Sequence, residues 1–459
     1  MDTAPSRSAN LGLLDRLGLG RPELRAWALY DCANSAAVTS IVTALFPIYF
    51  GSVAAVGLAP ARATEVYALA TTASLAAVAA LAPFLGTVAD VRPWKKRLLA
   101  LFAGLGVAAT GALYWVGRGD WILGAALLIA VNVGLNGSFV FYDALLPHVA
   151  RKDELDRVSS AGYAIGYLGG GLLLAVQLAV ILKPGLFGLA HGPGASEAAR
   201  TLPVRLAFVS VALWWALFTI PLLRRVPEPA AAAGGAGEGT ARLALSRLAA
   251  TFRTLRGHRQ ALLMLLAFLV YNDGIGTIIR MATIYGTELQ LPQGTLIGAI
   301  LLVQFIGIPA AYAFAGLAGR AGTKRAILAG LLVYGLVAVL AYRMRTPAHF
   351  WALAVLVGLV QGGTQALSRS LFASLVPRHS SGEFFGFFSV CEKVAGVVGP
   401  GVFALAIALT GSSRSAVLTV IAFFAAGALL LSQVDVEEGR QAAEAAEAAQ
   451  GERSPAACS

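Results

Sequence analysis

The sequence has few charged residues and few cysteines. Only 13% of its 459 residues are Asp, Glu, Lys or Arg, whereas about a quarter are charged in a soluble domain. Cys32, Cys391 and Cys458 are too far apart for a zinc site or a disulfide framework. Hydrophobic residues make up 58% of the chain, and its mean hydropathy is +0.73. This composition excludes a water-soluble globule, a disordered chain and a secreted disulfide scaffold. We expect no metal and no other cofactor.

Apolar runs long enough to cross a bilayer occur along the whole chain. A spanning helix needs about 20 apolar residues. Twelve such runs are present, at residues 26–55, 64–89, 97–117, 121–143, 160–182 and 205–223, and at 259–286, 294–318, 324–342, 348–373, 384–410 and 413–432. The sequence therefore predicts an all-α polytopic membrane protein with two six-helix bundles, residues 26–223 and 259–432. An N-terminal segment (1–25), a linker (224–258) and a tail (433–459) are predicted to lie outside the membrane.

The positive charges predict the orientation of these helices. Of the 35 Lys and Arg residues, 24 lie on the side of the termini, 8 lie in the opposite loops, and Arg280, Arg369 and Lys393 lie within spans. Because cytoplasmic loops carry the excess of Lys and Arg, both termini are predicted to be cytoplasmic. The first 25 residues show no cleavable signal peptide. The net charge of +11 then indicates contact with anionic lipid and no binding of nucleic acid. We expect a bacterial inner-membrane protein.

The two segments that break the hydrophobic pattern have different compositions. Residues 227–240 read PEPAAAAGGAGEGT, which is typical of a flexible linker. The arginines that follow, at positions 242, 247, 253, 256 and 259, have a spacing suited to a basic helix on the membrane surface. Residues 436–450 favour a helix but show no apolar stripe. They are predicted to form a solvated or frayed tail.

The two halves of the chain show signs of an internal repeat. A shift of 230 residues superimposes Gly86 on Gly316, Pro147 on Pro377, Ser159 on Ser389, Gly166 on Gly396, and Gly169 on Gly399. These positions also match within the two sets of six spans, which indicates duplication of a six-span unit. Two six-helix bundles related by a parallel repeat are the architecture of the major facilitator superfamily.

The loop after the second span resembles the cytoplasmic signature of that superfamily. It contains Gly86, then Asp90 four residues later, then a basic cluster that ends at Arg97. The resemblance implies that Asp90 contacts the start of the eleventh span near Phe384, so that Gly86, Asp90 and Arg97 form a gate. The alternative is an ordinary basic loop with an incidental aspartate. The second half has Arg320 in the place of the carboxylate, which argues against a symmetric second latch.

Four motifs carry a narrower resemblance. The first is residues 26–35, AWALYDCANS; the others are 141–147 (FYDALLP, running on to Ser159), 271–274 (YNDG) and 361–370 (QGGTQALSRS). Together they resemble the autophagy-related vacuolar-effluxer-like branch of the superfamily, over essentially all twelve spans. Cys32 departs from the first motif, in which an aromatic residue is expected. Fungal members are associated with amino-acid export from the vacuole, so the resemblance implies an amino-acid-like substrate.

Charged residues within spans are costly and usually mark a transport pathway. Asp273 and Arg280 are two helical turns apart, about 10 Å along the axis, a spacing that a zwitterion bridges. The substrate site is predicted to contain these two residues and the following polar residues of spans 1, 7 and 10: Asn34, Asn272, Gln361, Gln365 and Arg369. An internal Asp273–Arg280 salt bridge is the alternative. Asp273 and Asp31 are candidate proton carriers, and Asp143 is assigned to a gate.

These observations predict a secondary transporter that moves a small polar solute by alternating access. We expect a monomer that binds a small-molecule substrate and membrane lipid. A coupling proton and export as the direction of transport are further expectations. Three alternatives stay open: a lipid or drug exporter, a non-transporting receptor or sensor, and a membrane enzyme. The enzyme would depend on His148 and Asp153, whose spacing resembles that of glycerolipid acyltransferases.

Overall fold

The computed structural model describes residues 12–190, 196–230, 258–288, 291, 293–410 and 417–452. Within them the chain is almost entirely helical, as predicted. We number the long helices in chain order: α1 Pro22–Ala54, α2 Pro60–Val91, α3 Lys95–Ala112, α4 Trp121–Val149, α5 Leu155–Leu182, α6 Glu197–Arg225, α7 Arg259–Glu288, α8 Gln293–Ala321, α9 Thr323–Tyr342, α10 Pro347–Ser374, α11 Ser381–Thr410, α12 Val420–Ser432 and α13 Val436–Glu452.

Ordinary sequence signals fix several helix starts. Proline occupies the first helical position at Pro22, Pro60 and Pro347, where its missing N–H leaves no hydrogen bond unmade. The side chain of Ser196 accepts a hydrogen bond from the backbone N–H of Ala199 (3.2 Å) and so caps α6. Ten helices in the described part of the chain are long and apolar enough to cross a membrane. The predicted total of twelve spans stays a prediction.

The helices form two groups that pack along a shared interface. In the first group α1 packs on α5 and α6, and α3 packs on α4 and α6. In the second group α7 packs on α11 and α12, and α9 packs on α10 and α12. Between the groups, α2 packs on α11, while α5 packs on α8 and α10. We call α1–α6 the first half and α7–α12 the second half.

One end of the bundle carries both ends of the described chain. There Arg21 donates to the carbonyl of Val149 (3.0 Å), and Lys324 donates to the carbonyl of Val434 (2.8 Å). The backbone N–H of Lys96 donates to Glu228 at 3.0 Å. We call this end, where α2, α4 and α6 finish and α13 lies, the tail face.

Helix α1 is irregular in its second half. Residues 37–45 and 50–54 are π-helical, and Pro47 between them has no N–H to donate to the preceding turn. Within this region Thr39 accepts from Gln304 of α8 (2.7 Å). Ser40 donates to Gln177 of α5 at the same distance. The irregular region therefore supplies one hydroxyl group that bonds to the second half and one that bonds within the first half.

The C-terminal segment differs from its prediction as a solvated or frayed tail. It forms α13, which docks on the tail face and buries Ala443 to 2% exposure. Its buried positions include Gly439 and Ala443, four residues apart on one helix face. Sequence analysis sought large apolar residues, whereas this face packs closely because its residues are small. The linker and basic helix predicted within residues 231–257 lie outside the described residues.

Candidate functional site

A buried arginine joins the two halves near the tail face, five residues before the end of α10. The guanidinium of Arg369 on α10 donates through Nη2 to Asp31 of α1 (3.3 Å) and through Nη1 to Asp143 of α4 (3.1 Å). Its Nε donates to the hydroxyl of Ser159 on α5 (2.9 Å), and Nη2 also donates to the Ser159 carbonyl (3.0 Å). Each guanidinium nitrogen is therefore hydrogen-bonded to the first half. We call these four residues the Arg369 cluster.

Aromatic rings enclose the guanidinium. Its Cζ lies 4.6 Å from the ring centre of Tyr163, 4.9 Å from that of Trp27 and 5.4 Å from that of Tyr142. Such distances allow cation–π attraction. Trp27 and Tyr142 stack at 4.4 Å, and the Tyr142 hydroxyl donates to Asp31 at 2.8 Å. The rings therefore stabilise the arginine and hold one of its two carboxylate partners.

Gly162 makes room for the cluster. A Cβ atom there would lie 2.5 Å from Asp31 Oδ2 and 3.1 Å from Arg369 Nη2. Both distances are shorter than van der Waals contact. The glycine-rich sequence of α5 thus serves close packing, as expected for a run inside an apolar span, and here the packing surrounds buried charges.

The two carboxylates of the cluster differ in exposure. The side chain of Asp31 is 5% exposed, whereas that of Asp143 is 14% exposed. If both are ionised, one guanidinium leaves an excess of one negative charge, and an uncompensated buried charge is costly. Glu392 of α11 lies within electrostatic range of Asp143. Asp143 is therefore the carboxylate of the cluster that is more accessible to solvent.

A second contact between the halves lies at the tail face. Asp90 at the end of α2 accepts hydrogen bonds from the backbone N–H groups of Gly382 (3.1 Å) and Glu383 (2.8 Å), which begin α11. A carboxylate at this place caps the helix and interacts with its positive end. The contact predicted between Asp90 and the start of the eleventh span is therefore present; its role as a gate stays a prediction.

A residue of the basic cluster pairs with Asp90, and the role of Arg97 in a gate stays a prediction. Lys95 is buried and forms an ion pair with Asp90, whereas Arg97 is exposed. Lys95 is the first residue of α3. Arg97 is two residues further along this helix, so its side chain points to a different side. Gly86 completes the contact, since a Cβ there would lie 2.2 Å from the carbonyl oxygen of Gly382.

A related contact joins the halves at the corresponding place in the repeat, but here the carboxylate belongs to the facing helix. Asp156 in the first turn of α5 accepts a hydrogen bond from Thr323 at the start of α9 (2.6 Å) and another from Ser370 of α10. The carboxylate is that of Asp156 on α5, whereas Arg320 at the end of α8 is exposed. A symmetric second latch is absent from the described residues, as the arginine indicated, but a polar contact occupies its place.

The remaining predicted polar residues occupy different environments. Gln361 and Gln365 are half-buried and precede Arg369 by two turns and one turn on the same helix face. Asn272 is also half-buried. Asn34 is fully buried, and neither its oxygen nor its nitrogen has a hydrogen-bond partner among the described residues. The structure thus brings the two glutamines close to Arg369, while Asn34 shows no contact with that cluster in the described part.

Asp273 lies within the second half. It is buried on α7 against α11, where a Cβ added to Gly399 would lie 2.8 Å from Asp273 Oδ1. The side chain of Arg280 is outside the described residues, so the predicted Asp273–Arg280 pairing stays a prediction. The histidine and aspartate of the acyltransferase-like spacing are separated: His148 contacts Ser381 Oγ at 3.0 Å, while Asp153 is exposed beside Arg151.

Sequence analysis missed several residues of these contacts. Ser159 was noted for the repeat, and Trp27 and Tyr142 lay inside the motifs, but none was assigned to Arg369. Tyr163 was not singled out by any motif. The spacing of aromatic residues along one span does not show which charge on another span they enclose. Asp156 stands at a helix start, where an acidic residue usually serves the helix itself.

The fold is shared with solved transporters of the major facilitator superfamily. The structure resembles that of the proton:xylose symporter XylE with a TM-score of 0.68 and 15% identity over 93% of this chain and 98% of that one. It also resembles the human organic anion transporter MFSD10, with a TM-score of 0.67 and 17% identity over 92% of this chain and 100% of that one. These likenesses show the fold.

The chain belongs to the family described as "Vacuole effluxer Atg22 like", whose model matches residues 20–444. It is 36% identical to the uncharacterized MFS-type transporter YxiO of Bacillus subtilis, over 90% of this chain and 94% of that one. It is 27% identical to autophagy-related protein 22-1 of Phaeosphaeria nodorum, over 78% of this chain and 73% of that one. The protein is therefore an integral membrane transporter for a small molecule.

Proposed function

We propose that the protein is a secondary active transporter that moves a small, polar, amino-acid-like solute by alternating access. The two halves rock about a site at their interface and expose it to one side of the membrane at a time. We assign the tail face to the cytoplasm of a bacterial cell because 24 of the 35 basic residues are predicted from the sequence to lie on the side of the termini. Contacts of Asp90 with α11 and of Asp156 with Thr323 join the halves at this face, so we assign the structure to the state in which the tail face is closed.

The observation that carries the proposal is the bonding of Arg369 across the interface. Its partners Asp31, Asp143 and Ser159 all belong to the first half, while Arg369 belongs to the second. The halves cannot separate at this depth without breaking these bonds. A buried charge that loses its partner is strongly unfavourable. Separation therefore requires a replacement partner, a proton, or both.

A proton supplies the simplest replacement. Two carboxylates and one guanidinium carry an excess negative charge, and one proton on Asp31 or Asp143 makes the set neutral. A protonated carboxyl group also holds the guanidinium less strongly than a carboxylate does. We assign proton coupling to this pair, with Asp143 as the group that exchanges protons because it is the more exposed. Asp273 is a second candidate from the sequence.

The residues before Arg369 on α10 suit a polar solute. Gln361 and Gln365 present amide groups on the helix face that leads to the arginine, and Tyr163 lies on the opposite half of the interface. Amides donate and accept hydrogen bonds, so they orient an ammonium or a carboxylate group without adding a charge. The predicted contributions of Asn272, Asp273 and Arg280 belong to the same proposal. The family description names efflux from a vacuole, and export from the bacterial cell stays a prediction from the sequence.

The proposal is tested with the purified protein in proteoliposomes. Thermal-shift screening against single amino acids, sugars, lysolipids and cationic drugs identifies a ligand, and counterflow of the same radiolabelled compound tests flux. The proposal predicts counterflow of an amino-acid-like compound and its accumulation under a pH gradient. Asp143→Asn should retain counterflow and lose accumulation driven by the gradient.

The other results separate the alternatives. Binding without counterflow would support a receptor or sensor and contradict transport. Counterflow of a lysolipid or drug but of no polar solute would support an exporter of apolar compounds. Counterflow that a pH gradient does not drive, in the wild-type protein, would contradict proton coupling and leave the transport assignment intact.

A further inference from the structure

The C-terminal helix α13 lies across the tail face and contacts both halves. On the second half, Glu438 accepts a hydrogen bond from Gln260 of α7 (2.6 Å), and Glu447 accepts one from the backbone N–H of Arg378 (3.0 Å). Gly439 packs so closely that an added Cβ would lie 2.5 Å from Leu375 Cδ2. The helix is thus anchored along its length to the second half.

Its contact with the first half is made by charges. Lys152, in the connection between α4 and α5, lies 2.9 Å from Glu444 and 3.7 Å from Glu447, measured from Nζ to the nearer carboxylate oxygens. Ala443, one residue before Glu444, is buried at the same place. The acidic residues Glu444 and Glu447 of the anchored helix therefore contact Lys152 on the other half.

We propose that α13 is a strap that holds the two halves together at the tail face and raises the fraction of molecules in which that face is closed. Opening the face moves the α4–α5 connection away from α10 and α11. The strap stays with α7 and α10, so the pairs of Lys152 with Glu444 and Glu447 must break. The strap acts only in the closed state, and it therefore biases the equilibrium towards that state.

The size of this bias follows from the exposure of the charges. Lys152 and Glu444 are about half exposed, and ion pairs of this kind contribute about 1 kcal/mol or less. Loss of the pairs should therefore raise the ratio of open to closed molecules by up to about fivefold. High salt screens such pairs, so 1 M salt should reproduce most of the effect.

The strap is tested by measuring the distance between the halves in the full-length protein in lipid nanodiscs. Spin labels replace the exposed residues Arg224 and Arg325, one on each half, in a variant without native cysteines. Pulsed dipolar spectroscopy then gives the populations of the open and closed tail face. Lys152→Glu should raise the ratio of open to closed molecules by up to about fivefold. Adding Glu444→Lys and Glu447→Lys should reverse the change.

A matched control keeps the test specific. Glu444→Lys alone breaks the pair with Lys152 and should also raise the open population. Glu437→Lys makes the same change of charge on an exposed part of the same helix and should leave the populations unaltered. Hydrogen exchange of residues 436–452 checks that α13 is folded in each variant. A chain ended after Asp435 should behave as Lys152→Glu does, without any new charge.

The strap fails separately from the proposed function, on which it rests. Two populations that do not respond to Lys152→Glu or to the truncation would overturn the strap and leave alternating access standing. A single population in every variant and at every salt concentration would overturn both. Equal responses to Glu437→Lys and Glu444→Lys would show that total charge, and not the contact with Lys152, sets the equilibrium.

Discussion

Arg369 of α10 and Asp31 of α1, separated by 338 residues in sequence, lie 3.3 Å apart between Nη2 and Oδ2. Each belongs to a different half, and both are buried. The pair is therefore a bond between the two halves, which move apart in the proposed mechanism. Asp143 and Ser159 extend it to two further helices of the first half, so that one guanidinium bonds three helices of that half.

Replacing Arg369 should destabilise the protein strongly. Arg369→Ala leaves two buried carboxylates without their cation, a change that costs about 3–5 kcal/mol for a buried pair. Arg369→Lys should recover little, because an ammonium cannot donate in the planar, forked geometry that the three partners use. Thermal unfolding in detergent measures both variants. Arg118→Lys is the control: its ion pair with Glu197 is exposed at 3.2 Å, and an unfolding temperature as low as that of Arg369→Lys would contradict this account.

The repeat provides a matched pair of glycines. Gly86→Ala places a Cβ 2.2 Å from the carbonyl oxygen of Gly382, whereas Gly316→Ala meets no described atom within 4 Å. The first substitution should force α2 and α11 apart, lower the unfolding temperature and open the tail face. The second should change the free energy of unfolding by no more than about 0.5 kcal/mol, as surface substitutions usually do. Equal effects of the two substitutions would refute the close contact of α2 with α11.

The contact at Asp90 predicts a rescue. Asp90→Asn removes the charge that balances Lys95, which is only 2% exposed, and the unpaired cation should cost about 3–5 kcal/mol. Replacing the lysine as well, in Asp90→Asn with Lys95→Met, removes that cation and should recover much of the loss. Thermal unfolding of the two single variants and the double variant measures the coupling. Strictly additive losses would show that Asp90 acts through α11 alone.

The sequence predicted the fold more completely than the site. Hydrophobic runs identify candidate spans because each span must satisfy its own backbone hydrogen bonds in the membrane. The contact of Asp90 with α11 was predictable because it depends on a local motif at a helix end. The ring of Trp27, Tyr142 and Tyr163 around Arg369 was not, since it depends on the rotation of four helices about their axes.

The C-terminal helix shows a different reason for failure. Its buried face consists of small residues such as Gly439 and Ala443, so hydropathy gives no stripe to detect. Its charges resemble those of a solvated helix, and only the structure shows that Glu444 faces Lys152 on the other half. A helix with short side chains and surface charges shows no apolar stripe, so its sequence pattern predicts exposure to solvent.

The pH dependence of the strap has a definite sign. The hydrogen bond from Lys152 lowers the pKa of Glu444 below its ordinary value of 4.5, and the charges of Lys152 and Arg440 act in the same direction. A lowered pKa gives stabilisation that is complete above the ordinary value and is lost as the pH falls through the lowered one. The strap should therefore be unaffected between about pH 5.5 and 8 and weaken below about pH 4.5. Hydrogen exchange of residues 436–452 between about pH 4 and 8 measures how firmly α13 is held. Loss of protection near pH 7 would contradict the pairing of Lys152 with Glu444.

The most direct test of the central claim is the pH dependence of the distance between the halves. Spin labels at positions 224 and 325 report the opening of the tail face, and comparison with Asp143→Asn isolates the contribution of the Arg369 cluster. We predict that acidification raises the open population of the tail face in the wild-type protein. We predict that Asp143→Asn is already more open and responds less to pH. An open population in Asp143→Asn that equals the wild-type value and follows pH in the same way would contradict the claim that this cluster couples protons to movement.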